Sequence, residues 1–164
     1  MTTSLVRTRH AVIEDVEAVF DLYARCSPQT LQHRFHVPVA RVPERMVRRL
    51  VVPADGWSLI AEQGGEVVGH GCAGPVSTSR VEVGLLVDDA YQGTGVGTRL
   101  MRELALSAAR RGFEAMVCLV QPDNESVLPT VRRAGLEGVP LHVDGVVEIE
   151  VPLAAHRAGL PRIA

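Results

Sequence analysis

Two features of this sequence could do chemistry. One is a glycine spacing: Gly93, Gly95 and Gly97 alternate in Gln92-Gly-Thr-Gly-Val-Gly-Thr98, where a strand-like apolar run gives way to helical periodicity. The first backbone N–H groups of a helix lack intrahelical partners, and glycines let an anion approach them closely. The pattern therefore reads as a diphosphate cradle, with a plain tight turn as the alternative. The other feature is Glu82, set among Val81, Val83 and Leu85. A carboxylate is costly to bury in an apolar strand without a reason, and beside an amine it can serve as a general base. Period-2 geometry puts Glu82, Gly84 and Leu86 on one face, so Gly84 leaves room there for a substrate amine. Partial burial is expected to raise the Glu82 pKa toward the working pH. The alternative is an exposed strand residue paired with an arginine such as Arg80.

Composition removes several other chemistries. All 17 basic residues are arginine. Without lysine there is no G-x-x-x-x-G-K-[ST] phosphate loop and no Schiff base. A dinucleotide fingerprint, G-x-G-x-x-G near the N-terminus, does not match G-x-G-x-G after three strands that read as antiparallel. Cys26, Cys72 and Cys118 are odd in number, widely spaced and in no metal-ligand pattern, so reduced thiols and no metal are expected. A chain with 46% hydrophobic residues and a net charge of −2 is neither disordered nor built for broad nucleic-acid binding. No apolar run approaches the ~18 residues of a membrane span. The opening Met-Thr-Thr-Ser-Leu lacks the regions of a signal peptide, so a cytoplasmic location is expected.

The elements that must position these residues follow from hydrophobic period. At 164 residues one domain is expected, with a core over about 4–153 and a frayed tail over 154–164. A strand fits 4–10, and a helix fits 13–25 because Val16, Val19, Phe20 and Tyr23 recur at helical spacing. The stretch 27–42 reads as a loop, followed by a helix from Pro43 carrying Met46, Val47, Leu50 and Val51. Strands fit 57–62, 66–73 and 80–87, the first two joined by Gly64-Gly65. A helix fits 95–111, and a strand at 113–120 is apolar enough to be buried on both faces. Asn124 could cap a short helix through Arg133, with Pro129 kinking it unless it starts later. Strands at 136–143 and 146–153 flank an Asp144-Gly145 turn. The result is a single α/β (α+β) domain with a mixed sheet of about seven strands and helices on both faces.

Gln92-Gly93-Thr94-Gly95-Val96-Gly97 matches the pattern Q/R-x-x-G-x-G/A, and with this element order the chain resembles the GNAT superfamily of acyl-CoA-dependent N-acetyltransferases over roughly 4–153. The resemblance implies a mostly antiparallel sheet and acetyl-CoA as acyl donor, with the pyrophosphate on Gln92, Gly93, Thr94, Gly95, Val96, Gly97 and Thr98. It implies that Leu85, Leu86 and Val87 offer backbone groups to the pantetheine arm, that the next parallel strand splays away, and that Asn124 contacts the cofactor; a plain helix cap is its alternative role. The tyrosine that many members carry seven residues further on, as general acid for the leaving thiolate, is Val131 here, and Tyr23 and Tyr91 do not match it. Cys118 lies on the strand facing the thioester, as an acyl carrier or as core filler.

Ser27-Pro-Gln-Thr-Leu-Gln-His-Arg34-Phe35 is similar to the S-x-x-S/T-x-x-x-R-F segment of bacterial protein-lysine acetyltransferases, as is the strand Val81-Glu82-Val-Gly-Leu-Leu-Val87 with its basic glutamate. This implies Glu82 as the base and a protein acceptor such as an acyl-CoA synthetase. Arg34, Arg41, Arg45, Arg48 and Arg49 make that region basic, either to guide an acidic surface or as a solvated face. His33 and His36 read as surface or packing residues. Three functions stay open: a protein Nε-lysine acetyltransferase, a small-molecule amine or antibiotic acetyltransferase, and a non-catalytic acyl-CoA sensor. Cofactor binding without acetyl loss would mark the last.

Overall fold

The computed structural model describes residues 5–157. A short strand, β1 (Arg7–His10), leads through a 3-10 turn at Ile13–Asp15 into α1 (Val16–Arg25). Two further helices follow, α2 (Pro28–Phe35) and α3 (Glu44–Val51). The strands β2 (Trp57–Gln63), β3 (Glu66–Pro75) and β4 (Arg80–Val87) form an antiparallel meander. Then come α4 (Val96–Arg110), β5 (Ala115–Val120), α5 (Val127–Arg133), β6 (Val139–Val143), β7 (Val146–Pro152) and the short α6 (Ala154–Arg157). All seven strands form one sheet in the order β1-β2-β3-β4-β5-β7-β6, and every pairing is antiparallel except β4 with β5. Among the described residues no helix is long and apolar enough to cross a membrane.

Each face of the sheet has its own core. The α4 stripe of Val96, Leu100, Met101, Leu104, Ala105 and Ala108 is buried on one face with Val68, Val81, Val83 and Met116. Fully burying a leucine contributes about 1.5–3 kcal/mol, so Leu100 and Leu104 are major anchors. The helix sits close because β3 yields space: a Cβ at Gly69 would stand 2.9 Å from Leu100 Cδ1, and one at Gly71 3.0 Å from Leu104 Cδ1. On the opposite face α1, α2 and α3 bury Val19, Leu22, Leu31, Val47 and Val51 against Ile60, Val67 and Leu86.

Three expectations change. The segment 27–42 is not all loop, because α2 occupies 28–35. Ser27 accepts a hydrogen bond from the Thr30 N–H at 3.3 Å, and Pro28 takes the first turn, where its missing N–H removes nothing. The helix after β5 starts at Val127 rather than Asn124, which puts Pro129 inside the first turn, where no kink is needed. β5 is not covered on both sides, since Leu119 is 36% exposed, and Leu141 of the edge strand β6, aligned with it through Glu148, is exposed too. The expected tail opens with α6, and 158–164 lie outside the described residues.

Candidate functional site: a forked sheet and a glycine turn

β4 and β5 pair over only three rungs, Arg80 with Ala115, Val81 with Met116 and Glu82 with Val117. Beyond them the strands part, so Val83–Val87 face β5 without its ladder. Glu82 marks the apex of this fork. It is exposed, against the expected partial burial, because no helix covers its face there. Nor does it pair with Arg80, whose Nη2 turns to Glu148 (2.5 Å) and Glu150 (3.0 Å) on β7.

At the open end of the fork β4 runs into the glycine turn. Gly93 and Gly95 have φ of +74° and +96°, in the left-handed region that favours glycine. Gly95 is the N-cap of α4 and has no side chain to cap it, which leaves the first-turn N–H groups of Val96, Gly97 and Thr98 for an outside acceptor. A Cβ at Gly93 or Gly95 would meet nothing within 4 Å, so open space lies in front of these amides. That combination of unpaired donors and clear approach fits a diphosphate. Gly97 serves differently: a Cβ there would touch Val87 (3.6 Å) and Thr130 (3.8 Å). Val96 points its side chain into the core, and only its backbone is available to a ligand. Gln92, though exposed, braces the turn, donating from Nε2 to the Val87 carbonyl and to Thr30 Oγ1, both at 3.1 Å. Thr94 donates its hydroxyl to the Tyr91 carbonyl at 2.6 Å.

α2 packs on the same sheet face as Glu82 but further along the fork, over Gly84, and leaves Glu82 itself open. At one end Ser27 and Thr30 hydrogen-bond Asp89, just past β4, at 2.7–2.9 Å. Burial opposes ionisation of Asp89, but these hydrogen bonds hold its carboxyl below the usual range. Further along, His33 Nε2 lies 3.3 Å from Asp123, just past β5. Between them Arg34 reaches down to β4. A Cβ on Gly84 would stand 2.6 Å from Arg34 Nη1 and 2.8 Å from its Cζ, so the room that Gly84 was expected to leave for an amine is filled by this guanidinium. Arg34 Nη2 donates to Cys72 Sγ at 2.9 Å. Beneath lies a buried pair: Tyr23 OH and His70 Nδ1 share a hydrogen bond of 3.1 Å. Burial pushes the Tyr23 hydroxyl up to about 12 and, with the Arg34 charge adding, His70 down to about 3.

The sequence profile described as "Acetyltransferase (GNAT) family" matches residues 16–136. The chain belongs to that family. It is an acyl-CoA-dependent N-acetyltransferase. Among solved structures it is similar to the GNAT domain of S. lividans PAT, at 28% identity over 90% of each chain and a TM-score of 0.81. It also shares the fold of yncA, a putative acetyltransferase from Salmonella typhimurium with its cofactor acetyl-CoA, at 21% identity over 97% and 99% of the chains, TM-score 0.70.

In this GNAT acetyltransferase the remaining candidates sort by contact. Asn124 does not cap α5; its Oδ1 accepts from the Ser126 hydroxyl at 2.7 Å, on the loop leaving the fork. Val131 is fully buried, so its position faces the α4-side core rather than the fork. Tyr91 OH lies 3.5 Å from Glu66, and Tyr23 is sealed beneath Arg34. Cys118 is buried in the α4-side core, and burial, with the Glu82 charge adding, pushes its thiol up to about 12. Such a thiol is core filler and a poor nucleophile. In the sequence Arg34 stands out only as part of a motif and of a basic stretch; its seat on Gly84 depends on where α2 lands.

Proposed function

We propose that this acetyltransferase moves the acetyl group of acetyl-CoA to the Nε-amine of lysines on an acceptor protein. The observation that carries the reading is the open placement of Glu82: an exposed carboxylate at the fork apex, just beyond the part of the sheet face that the helices cover, suits a side chain presented by a large partner. The similarity to the GNAT domain of S. lividans PAT and the S-x-x-S/T-x-x-x-R-F segment, now a helix over the fork, support a protein acceptor.

Bound acetyl-CoA supplies an activated thioester carbonyl. The amides from Gly93 to Thr98, with Gln92 bracing the loop from behind, hold the diphosphate. Backbone groups of Leu85, Leu86 and Val87 would align the pantetheine arm, and Asn124 would contact the cofactor. A lysine amine has a pKa near 10.4, so only about one in a few thousand is neutral at pH 7. Glu82 accepts the proton that the attacking nitrogen must lose, by direct contact or through water.

The test is to incubate the protein with labelled acetyl-CoA, cell lysate and a panel of small amines, with Glu82→Gln in parallel. Label on protein lysines that Glu82→Gln abolishes supports the proposal. Label confined to small amines overturns it in favour of a small-molecule enzyme, and cofactor binding without transfer overturns it in favour of an acyl-CoA sensor.

A further inference from the structure

Arg34 is a cation whose counter-ion the protein does not provide. Among the described residues no carboxylate pairs with it; its Nε is sealed from solvent without a hydrogen-bond partner, and its guanidinium has only the neutral Tyr23 hydroxyl and the Cys72 sulfur as polar partners. Its ring contact, Phe35 at 5.5 Å, offers a π-face and no charge. Holding a guanidinium in such a place is expensive unless something negative arrives to meet it. The groups that face it are Tyr23 from α1, His70 and Cys72 from β3, and Glu82, two residues along β4 on the same face. Tyr23 and His70 are neutral at pH 7. Glu82 is exposed and is not bonded to it.

The location says what the negative group is. Gly84, against which the guanidinium is pressed, lies between Glu82, the proposed base, and Leu85–Val87, the proposed rest for the pantetheine arm. The reacting end of an acyl-CoA laid along that strand comes to this side of the fork. We propose that Arg34 stabilises the coenzyme A thiolate as it leaves, the task for which the position of Val131 offers no hydroxyl. This rests on the cofactor reading given above. In the reaction the amine nitrogen forms a bond to the acetyl carbon, the carbon–sulfur bond breaks, and its electron pair leaves on sulfur. The amine proton goes to Glu82. Arg34 stays protonated throughout and donates charge stabilisation rather than a proton.

The prediction concerns binding, so it needs no acceptor. A cation beside the sulfur favours thiolate over thiol, so coenzyme A affinity should rise with pH below the ordinary pKa of a thiol, roughly 8.5 for cysteine. Desulfo-coenzyme A has no sulfur and should not respond. Dissociation constants for both compounds are to be measured by calorimetry from pH 6.5 to 9.5 on the wild type, Arg34→Gln and Arg34→Lys. In the wild type the preference for coenzyme A over its desulfo analogue should grow at least tenfold across that range. Arg34→Gln should lose the growth while binding desulfo-coenzyme A within about threefold of wild type, and Arg34→Lys should keep most of it. An Arg34→Gln protein with the wild-type pH dependence would overturn the proposal. So would a wild type whose preference does not change with pH, a result that needs no variant to fold. If neither compound binds, the cofactor reading itself falls and takes this proposal with it.

Discussion

Glu82 stands opposite Val117 on the last rung that β4 and β5 share. One residue further the strands have parted, so the carboxylate sits where the sheet opens and where solvent reaches it. Glutamine keeps the shape of that side chain and cannot accept a proton at neutral pH. Glu82→Gln is therefore expected to hold acetyl-CoA affinity within about threefold while kcat falls roughly 10²- to 10⁴-fold, recovering partly at high pH as solvent deprotonates the amine. Full activity at pH 7 in steady-state assays would remove Glu82 as the base.

Gly95 has φ +96° and caps α4 without a side chain. Valine at that position is strained in the left-handed region and puts branches into the space before the first-turn amides. Gly95→Val should weaken acetyl-CoA binding at least tenfold, about 1.4 kcal/mol, by calorimetry. An unchanged affinity would end the cradle assignment.

Gly84→Ala adds a methyl 2.6 Å from Arg34 Nη1. Overpacking of this kind costs about 1–3 kcal/mol. Combined with Arg34→Gln the loss should shrink, because the two changes share one contact. Chemical denaturation of the four proteins measures the coupling; a Gly84→Ala protein as stable as wild type would mean that the guanidinium, the far end of a flexible side chain, swings clear freely.

His70 supplies a pH dependence of stability. Its folded pKa, about 3, lies below the ordinary 6.5, so between those values the unfolded chain binds a proton that the native one refuses. Stability should fall as pH drops through this window, by up to about 1.4 kcal/mol per pH unit from this group. Asp15, held low chiefly by its hydrogen bond from Arg9, adds a loss in the same direction only near and below its usual 3.8. Denaturation at pH 6.5 and 4.5 should therefore separate them, and His70→Gln should flatten that interval.

Much of the fold was legible because its signals are local. The α4 stripe from Val96 to Ala108 and the Gly93-x-Gly95-x-Gly97 turn declare themselves within a few residues of sequence. The start of α2 was written in Ser27-Pro28, yet its apolar positions, Leu31 and Phe35, are too few to show a period, and 27–42 read as loop. Strand parity placed Glu82 and Gly84 on one face correctly. It could not say that helices cover this face over β2, β3 and the end of β4 but leave Glu82 in water, nor that Arg34, fifty residues earlier in the chain, would fill the space above Gly84. Those are facts of tertiary packing.

The fork has a mechanical meaning as well. Three rungs, flanked by the Ser79 carbonyl and the Arg80 ion pairs to β7, stitch β1–β4 to β5–β7 at one end of the seam, with the α4 crossover as a further tie. If the acyl-CoA arm lies along Leu85–Val87 as proposed, it would act as a removable strand, lending the parted edges the hydrogen bonds they do not give each other. Amide exchange at Val83–Val87 should slow on adding acetyl-CoA, by more than at the β2–β3 hairpin, and the melting temperature should rise with ligand concentration. Each turnover would thus unzip and rezip the seam between two half-sheets, so that letting go of the product is also a brief loosening of the fold.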